Sequence, residues 1–151
     1  MKWVTRERPK TDRIACPWLI RRFIDADAEI VYVPPDRVLT VAAESEGHSF
    51  DTPGAEYAHH TAADGYQKCT FEVLVDAYGL VIDPGLSRLA KIVHAADING
   101  EVGTDPAGAG LLAIGVGGLL AESDDQRLLD RATFVYDALY AWWLRDVASA
   151  V

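Results

Sequence analysis

Lys2-Trp3-Val4-Thr5-Arg6 mixes β-branched and aromatic residues with polar ones, which predicts a first strand ending before Pro9. After it the apolar positions change period. Ile14, Trp18, Leu19, Phe23 and Ile24 recur at helical spacing with Arg21 and Arg22 toward water, and Thr11-Asp12 can cap that helix. Pro17 leaves two readings: a helix starting near Cys16 with proline in its first turn, or one starting at Thr11 that kinks. Glu29-Ile30-Val31-Tyr32-Val33 predicts a second strand, stopped by Pro34-Pro35. Asp36 is placed to cap a short helix through Ala43 that Gly47 ends. His48-Ser49-Phe50-Asp51 predicts a third strand before the Thr52-Pro53-Gly54 turn. This βαβαβ order predicts a small sheet with covering helices.

From residue 69 the pattern is helical. Thr70 can cap a helix burying Phe71, Leu74, Val75 and Tyr78, with Gly79 as its stop. Asp83-Pro84 gives the cap and first position of a helix closed by Asn99-Gly100. Its stripe Leu86, Leu89, Ala90, Val93 leads on to Asp97, an acid on the core face that needs a partner. Pro106 opens a glycine-rich apolar helix through Ala121, expected to be buried in the middle of the fold because its glycines permit close backbone approach. Ser123-Asp124-Asp125-Gln126 reads as a capping box for a last helix with Leu128, Ala132, Val135, Tyr136, Leu139 and Trp143 on one face. The expected fold is α/β (α+β): a small N-terminal βαβαβ sheet followed by a mainly helical C-terminal part, in a single domain over 1–151.

Length and composition narrow the function classes. The 151 residues suit one core, and 50% hydrophobic with 25% charged residues is ordinary for a globular chain. A net charge of −9 argues against general nucleic-acid binding, which needs a basic surface. The charge is uneven, though: residues 1–22 carry seven basic side chains against two acidic ones, +5, which leaves −14 elsewhere. Arg13, Arg21 and Arg22, beside Asp12, could hold an oxyanion by bidentate hydrogen bonds. Two cysteines make no disulfide framework, and Cys16 near positive charge could be a reactive thiol. No apolar segment follows the basic N-terminus, and the longest apolar run is too short to span a bilayer, so a reducing cytoplasm is expected.

The chemistry concentrates between Tyr57 and Gly100, which holds His59-His60, Cys69-Thr70-Phe71-Glu72 and His94-Ala95-Ala96-Asp97. Helical spacing makes neighbours of Cys69 and Glu72, and of His94 and Asp97. Imidazole, carboxylate and thiolate together suit one transition metal, zinc, iron or manganese, rather than calcium or magnesium. The candidate ligands are His59 or His60, Cys69, Glu72, His94 and Asp97. Ordinary roles compete with each: solvated loop histidines, a first-turn glutamate facing the helix dipole, a core-filling cysteine, an arginine partner for Asp97.

The run from Trp3 through Arg13-Ile14-Ala15-Cys16-Pro17-Trp18 to Ile24 resembles the opening of the chromate-resistance domain family, the C-terminal module of ChrB-type proteins. Phe50-Asp51-Thr52-Pro53-Gly54, His59-His60, Cys69-Thr70-Phe71-Glu72, Ile92-Val93-His94-Ala95-Ala96-Asp97 and Val135-Tyr136-Asp137-Ala138-Leu139-Tyr140 are similar to its later motifs. The resemblance implies a place in chromate resistance, where longer members are linked to chromate-responsive control of efflux. No module precedes the domain in this sequence, so DNA-binding regulation is not expected of it. The expected function is a metal-binding domain acting in chromate or oxidative stress response or sensing. The alternatives are a manganese-, iron- or zinc-dependent metalloenzyme, redox or hydrolytic, and an oxyanion sensor using the N-terminal arginines. Expected partners are a metal ion and chromate or another small oxyanion, with neither nucleic acid nor membrane. Self-association is left open.

Overall fold

The computed structural model describes residues 1–149, and the side chains of all of these except Val147. Strand β1 (Lys2–Arg6) lies between β2 (Glu29–Val33) and β3 (His48–Ser49), both parallel to it, with Trp3 opposite Ile30 on one side and His48 on the other. Helix α1 (Asp12–Leu19) connects β1 to β2, and α2 (Val38–Glu44) connects β2 to β3. The βαβαβ order read from the pattern is therefore present. The third strand is shorter than expected: its last backbone bond to β1 is Phe50 N–H to Val4 O, at 3.0 Å, after which Phe50 pairs with Tyr57 and its carbonyl accepts from the Thr5 hydroxyl.

Pro17 sits inside α1, so the helix starts at the earlier of its two expected positions. A proline there cannot donate to the carbonyl of Arg13 four residues back. The Tyr32 hydroxyl donates to that carbonyl instead, at 2.6 Å. Helix α1 then relaxes into a π-helical turn over Ile20–Ile24.

Several caps differ from expectation. Thr11 and Asp36 make no side-chain cap. For the last helix α6 (Asp125–Ser149), Asp124 rather than Ser123 accepts the Arg127 N–H, at 2.9 Å. Helix α3 (Thr70–Ala77) is capped at Cys69, because the Thr70 hydroxyl and N–H are both taken by aspartates of the candidate site. Helix α4 (Pro84–Asp97) begins as expected, with Asp83 accepting from Leu86 N at 2.9 Å. The structure adds a hairpin of β4 (His60–Thr61) and β5 (Gln67–Lys68) that the hydrophobic pattern does not predict.

One core runs from Trp3 and Phe50 at the sheet through α1, α3 and α4 to Tyr136 and Tyr140 of α6. Tyr78, expected on the buried side of α3, is exposed.

The glycine-rich helix α5 (Gly108–Ala121) is not central either. Only Gly108 and Leu111 are buried, and Leu120 is 86% exposed. Its glycines divide by face, which is why uniform apolarity misleads. A Cβ on Gly108 would lie 2.7 Å from Ala95 Cβ, whereas Gly110 and Gly117 face open space. The guanidinium of Arg8 holds the C-terminal end of α5, donating to the carbonyls of Leu119 (2.6 Å), Ser123 (2.8 Å) and Glu122 (3.2 Å). Among the described residues no helix is long and apolar enough to cross a membrane.

Candidate functional site

In an open parallel sheet, the crevice at the carboxyl ends of the strands, where the chain's direction of winding reverses, is the ordinary ligand position. Here that point lies between β1 and β3. Arg6 ends β1, Asp51 follows β3, and Asp12 opens α1 just beyond β1. Asp51 adopts a left-handed backbone with φ 51°, uncommon for a residue with a side chain. The conformation is fixed from several directions: Asp51 N donates to Tyr57 O at 2.8 Å and Arg6 Nε to Asp51 O at 2.9 Å. Such over-determined strain is typical of functional positions.

Asp12 crosses to the start of α3, where its carboxylate accepts from the N–H of Thr70 at 2.6 Å and of Phe71 at 3.3 Å. These are first-turn amides without an intrahelical partner, and the helix dipole favours an anion there. Asp51 accepts from the Thr70 hydroxyl at 2.9 Å, and its other oxygen faces Arg6 at 3.3 Å and Arg13 at 3.8 Å. Asp97, at the last turn of α4, completes a group of three acids.

His59 enters this group from the loop before β4. Its Nε2 lies 3.0 Å from Asp97, 3.3 Å from Asp51 and 3.4 Å from Asp12. Hydrogen bonding to Asp12, Asp51 and Asp97 pushes the imidazole pKa up to about 12. Burial, then the charge of Asp97 and of Asp51, pushes Asp12 up to about 7 against the opposing pull of His59. Burial also opposes the charge of Asp51. Hydrogen bonds with His59 and Thr70 and the nearby Arg13 nevertheless hold it below the usual carboxylate range.

Ligand atoms of Asp12, His59 and Asp97 lie within 4.8 Å of one another, a span one cation can bridge. Two carboxylates and an imidazole match the harder transition metals. Beside the site is a cavity of about 370 Å³ lined by Arg6, Asp51, Thr52, Pro53, Ala58 and His59.

The candidate ligands fall into two groups. His59 and Asp97 meet here, together with Asp12 and Asp51. Glu72 and His94 meet elsewhere, with His94 Nδ1 2.8 Å from Glu72 Oε2, and the Tyr66 hydroxyl donates to Glu72 Oε1 at 2.7 Å. Cys69 and Glu72 form a capping box: the Cys69 N–H donates to the Glu72 carboxylate at 2.9 Å, and the Cys69 sulfur accepts from the Glu72 backbone N–H. The Cys69 side chain is core, and burial pushes its pKa up; the same holds for Cys16, which is therefore not the reactive thiol considered from its neighbours. His60 is exposed on β4 opposite Lys68.

Arg13 lies apart from Arg21 and Arg22, which line one cavity beside Asp137. Arg13 faces Asp51 and the Arg8 carbonyl, Arg21 donates to Ala28 O at 3.2 Å, and Arg22 pairs with Asp137 at 3.4 Å. The sequence pattern groups Asp12 with the neighbouring arginines and places Asp51 at the end of a strand, whereas the structure brings both to His59. The only local signal was an acid beside a buried run in each case.

A sequence model of the family described as "ChrB, C-terminal domain" matches residues 3–143. The chain is 34% identical over 139 residues to Protein ChrB of Cupriavidus metallidurans, covering 92% of this chain and 40% of that relative. No solved structure matches.

Proposed function

The chain belongs to the family of ChrB C-terminal domains, the chromate-resistance family, and from that premise we propose that it is a metal-binding domain acting in chromate or oxidative stress response. The observation that carries this reading is His59 Nε2 standing within 3.4 Å of three carboxylates. Arg6 and Arg13 offset Asp51, but the imidazolium alone faces Asp12 and Asp97, two acids in a largely buried spot that a cation would relieve. Asp12, His59 and Asp97 would hold one transition ion, manganese, iron or zinc, with Asp51 beside them held by Arg6 and Arg13. Such an ion supplies Lewis acidity and, for manganese or iron, redox capacity. The α3 amides keep Asp12 oriented.

Two cysteines that are both buried and free support a reducing cytoplasm as the compartment. The chain spans about 40% of the relative's length, so control of efflux by a longer protein is a further proposal.

The test is elemental analysis of tag-free protein together with thermal melting against added Mn(II), Fe(II) and Zn(II). Near-stoichiometric metal, or a melting shift for at least one ion that is lost in Asp12→Asn, is expected. No bound metal and no shift with any of the three would defeat the reading.

The cavity beside His59 favours a catalytic version, because it leaves an approach from solvent. Turnover of superoxide, peroxide or an ester by metal-loaded protein, abolished by chelation, would establish it. A coordination sphere closed by protein ligands would rule it out.

A further inference from the structure

The second cluster does not belong to the carboxylate site and has a cleft of its own. His94 is 6% exposed and fixed on two sides. Glu72 Oε2 takes its Nδ1 at 2.8 Å, and the Tyr66 ring lies parallel to the imidazole, 5.0 Å between centroids and 11° between planes. Glu72 is fixed in turn by the Tyr66 hydroxyl and the Cys69 N–H. A carboxylate at Nδ1 sets the tautomer, so the neutral ring carries its proton there and presents Nε2 as an acceptor. Nε2 has no hydrogen-bond partner among the described residues and is not among their fully buried unpartnered atoms. His94 lines a cleft of about 230 Å³ together with Tyr66, Lys91, Glu101 and Thr104.

We infer that His94 is the general base of a second, metal-independent site that hydrolyses small uncharged acyl esters. Lys91, three residues before His94 on α4, places a cation on the same wall, which disfavours a metal ion and favours negative charge developing on a carbonyl oxygen. Lys91 and Glu101 balance in charge, so the cleft selects neither an anion nor a cation, and its volume of about 230 Å³ suits a small ester. In the step, water attacks the carbonyl carbon while His94 Nε2 takes one of its protons. The oxyanion forms opposite Lys91. The C–O bond to the alcohol then breaks, and His94 returns the proton to the departing oxygen, leaving acid, alcohol and the neutral imidazole. Glu72 is the positioning residue.

The test is hydrolysis of p-nitrophenyl acetate by chelator-treated protein, compared with equimolar imidazole. The expected rate exceeds free imidazole by about 10²-fold, the usual scale of a positioned base. It falls to the imidazole level in His94→Gln, falls about tenfold in the exposed-site variant Lys91→Ala, and is unchanged in the surface control His60→Gln. Glu72→Gln lowers kcat with KM unchanged, because the imidazole loses the carboxylate that fixes its Nδ1 proton, and Glu72→Asp restores part of the rate, a split that packing loss alone would not produce. Circular dichroism identifies variants that fail to fold. If His94→Gln does so, Lys91→Ala and the kcat and KM of Glu72→Gln decide. Wild-type hydrolysis no faster than imidazole, hydrolysis lost on chelation, or a rate indifferent to both His94→Gln and Lys91→Ala would overturn the inference. Because the assay runs without metal, its failure leaves the carboxylate site untouched, and the reverse is also true.

Discussion

His94 and Asp97 stand one turn apart on α4 yet serve different clusters: His94 Nδ1 lies 2.8 Å from Glu72, and Asp97 Oδ2 lies 3.0 Å from His59. The N-terminus of α3 divides its free amides in the same way, Cys69 N–H to Glu72 and those of Thr70 and Phe71 to Asp12. Two side-chain clusters thus share the same pair of helices.

This separation makes a prediction that the sequence alone would have made otherwise. Asp97→Asn should weaken metal binding at least about tenfold, one ligand being worth more than 1.4 kcal/mol. His94→Gln should leave metal content unchanged. Elemental analysis of both variants checks it, and equal losses would mean that the two clusters act as one.

Metal binding should release protons. At pH 7 the His59 imidazole, with its pKa near 12, is protonated, and Asp12, near 7, is about half protonated. Both must be deprotonated to act as ligands. Affinity should therefore rise from pH 6 to 8, with more than one proton released per ion at pH 7. Calorimetry in buffers of different ionisation enthalpy measures this.

In the metal-free protein the same groups should make stability fall as pH rises. Folding raises the pKa of Asp12 from 3.8 to about 7 and of His59 from 6.5 to about 12, so the folded state binds more protons than the unfolded one. The His59 contribution is complete below about pH 6.5 and declines above it toward 12. That of Asp12 is lost between about 4 and 7. Melting temperature of metal-free protein should drop steadily from pH 5 to pH 9, and His59→Gln should flatten the upper half of that slope. A melting temperature that rises over this range would contradict the geometry of the cluster.

Tyr32→Phe should cost about 1–2 kcal/mol, because it leaves the Arg13 carbonyl without a partner in the first half of α1. The cost should shrink when Pro17→Ala restores an N–H to that position. Urea denaturation of the two single variants and the double variant measures the coupling.

The two faces of α5 should respond oppositely. Gly108→Val drives a side chain into Ala95 and the Val102 carbonyl and should destabilise by about 1–3 kcal/mol. Gly117→Ala meets open space and should stabilise by about 0.5–1 kcal/mol through helix propensity. Thermal melting of each variant distinguishes them.

The sequence by itself determined the elements whose signals are local. Alternation and proline stops marked β1 and β2, and Asp83-Pro84 with Asn99-Gly100 bounded α4, because backbone conformation responds to neighbours a few residues away. It also marked the family, and it marked His59, Glu72, His94 and Asp97 as residues with chemistry. Only the tertiary structure decided how those residues divide. Asp12 and Asp51 enter the site through parallel pairing that brings the ends of β1 and β3 side by side, and through α3 turning its free amides toward Asp12. Both relations join residues far apart in sequence. The exposure of α5 was equally out of reach, since an all-apolar helix has no polar face to say which side meets the core. Which face packs is settled by close contacts such as that of Gly108 with Ala95, and these exist only between helices already assembled.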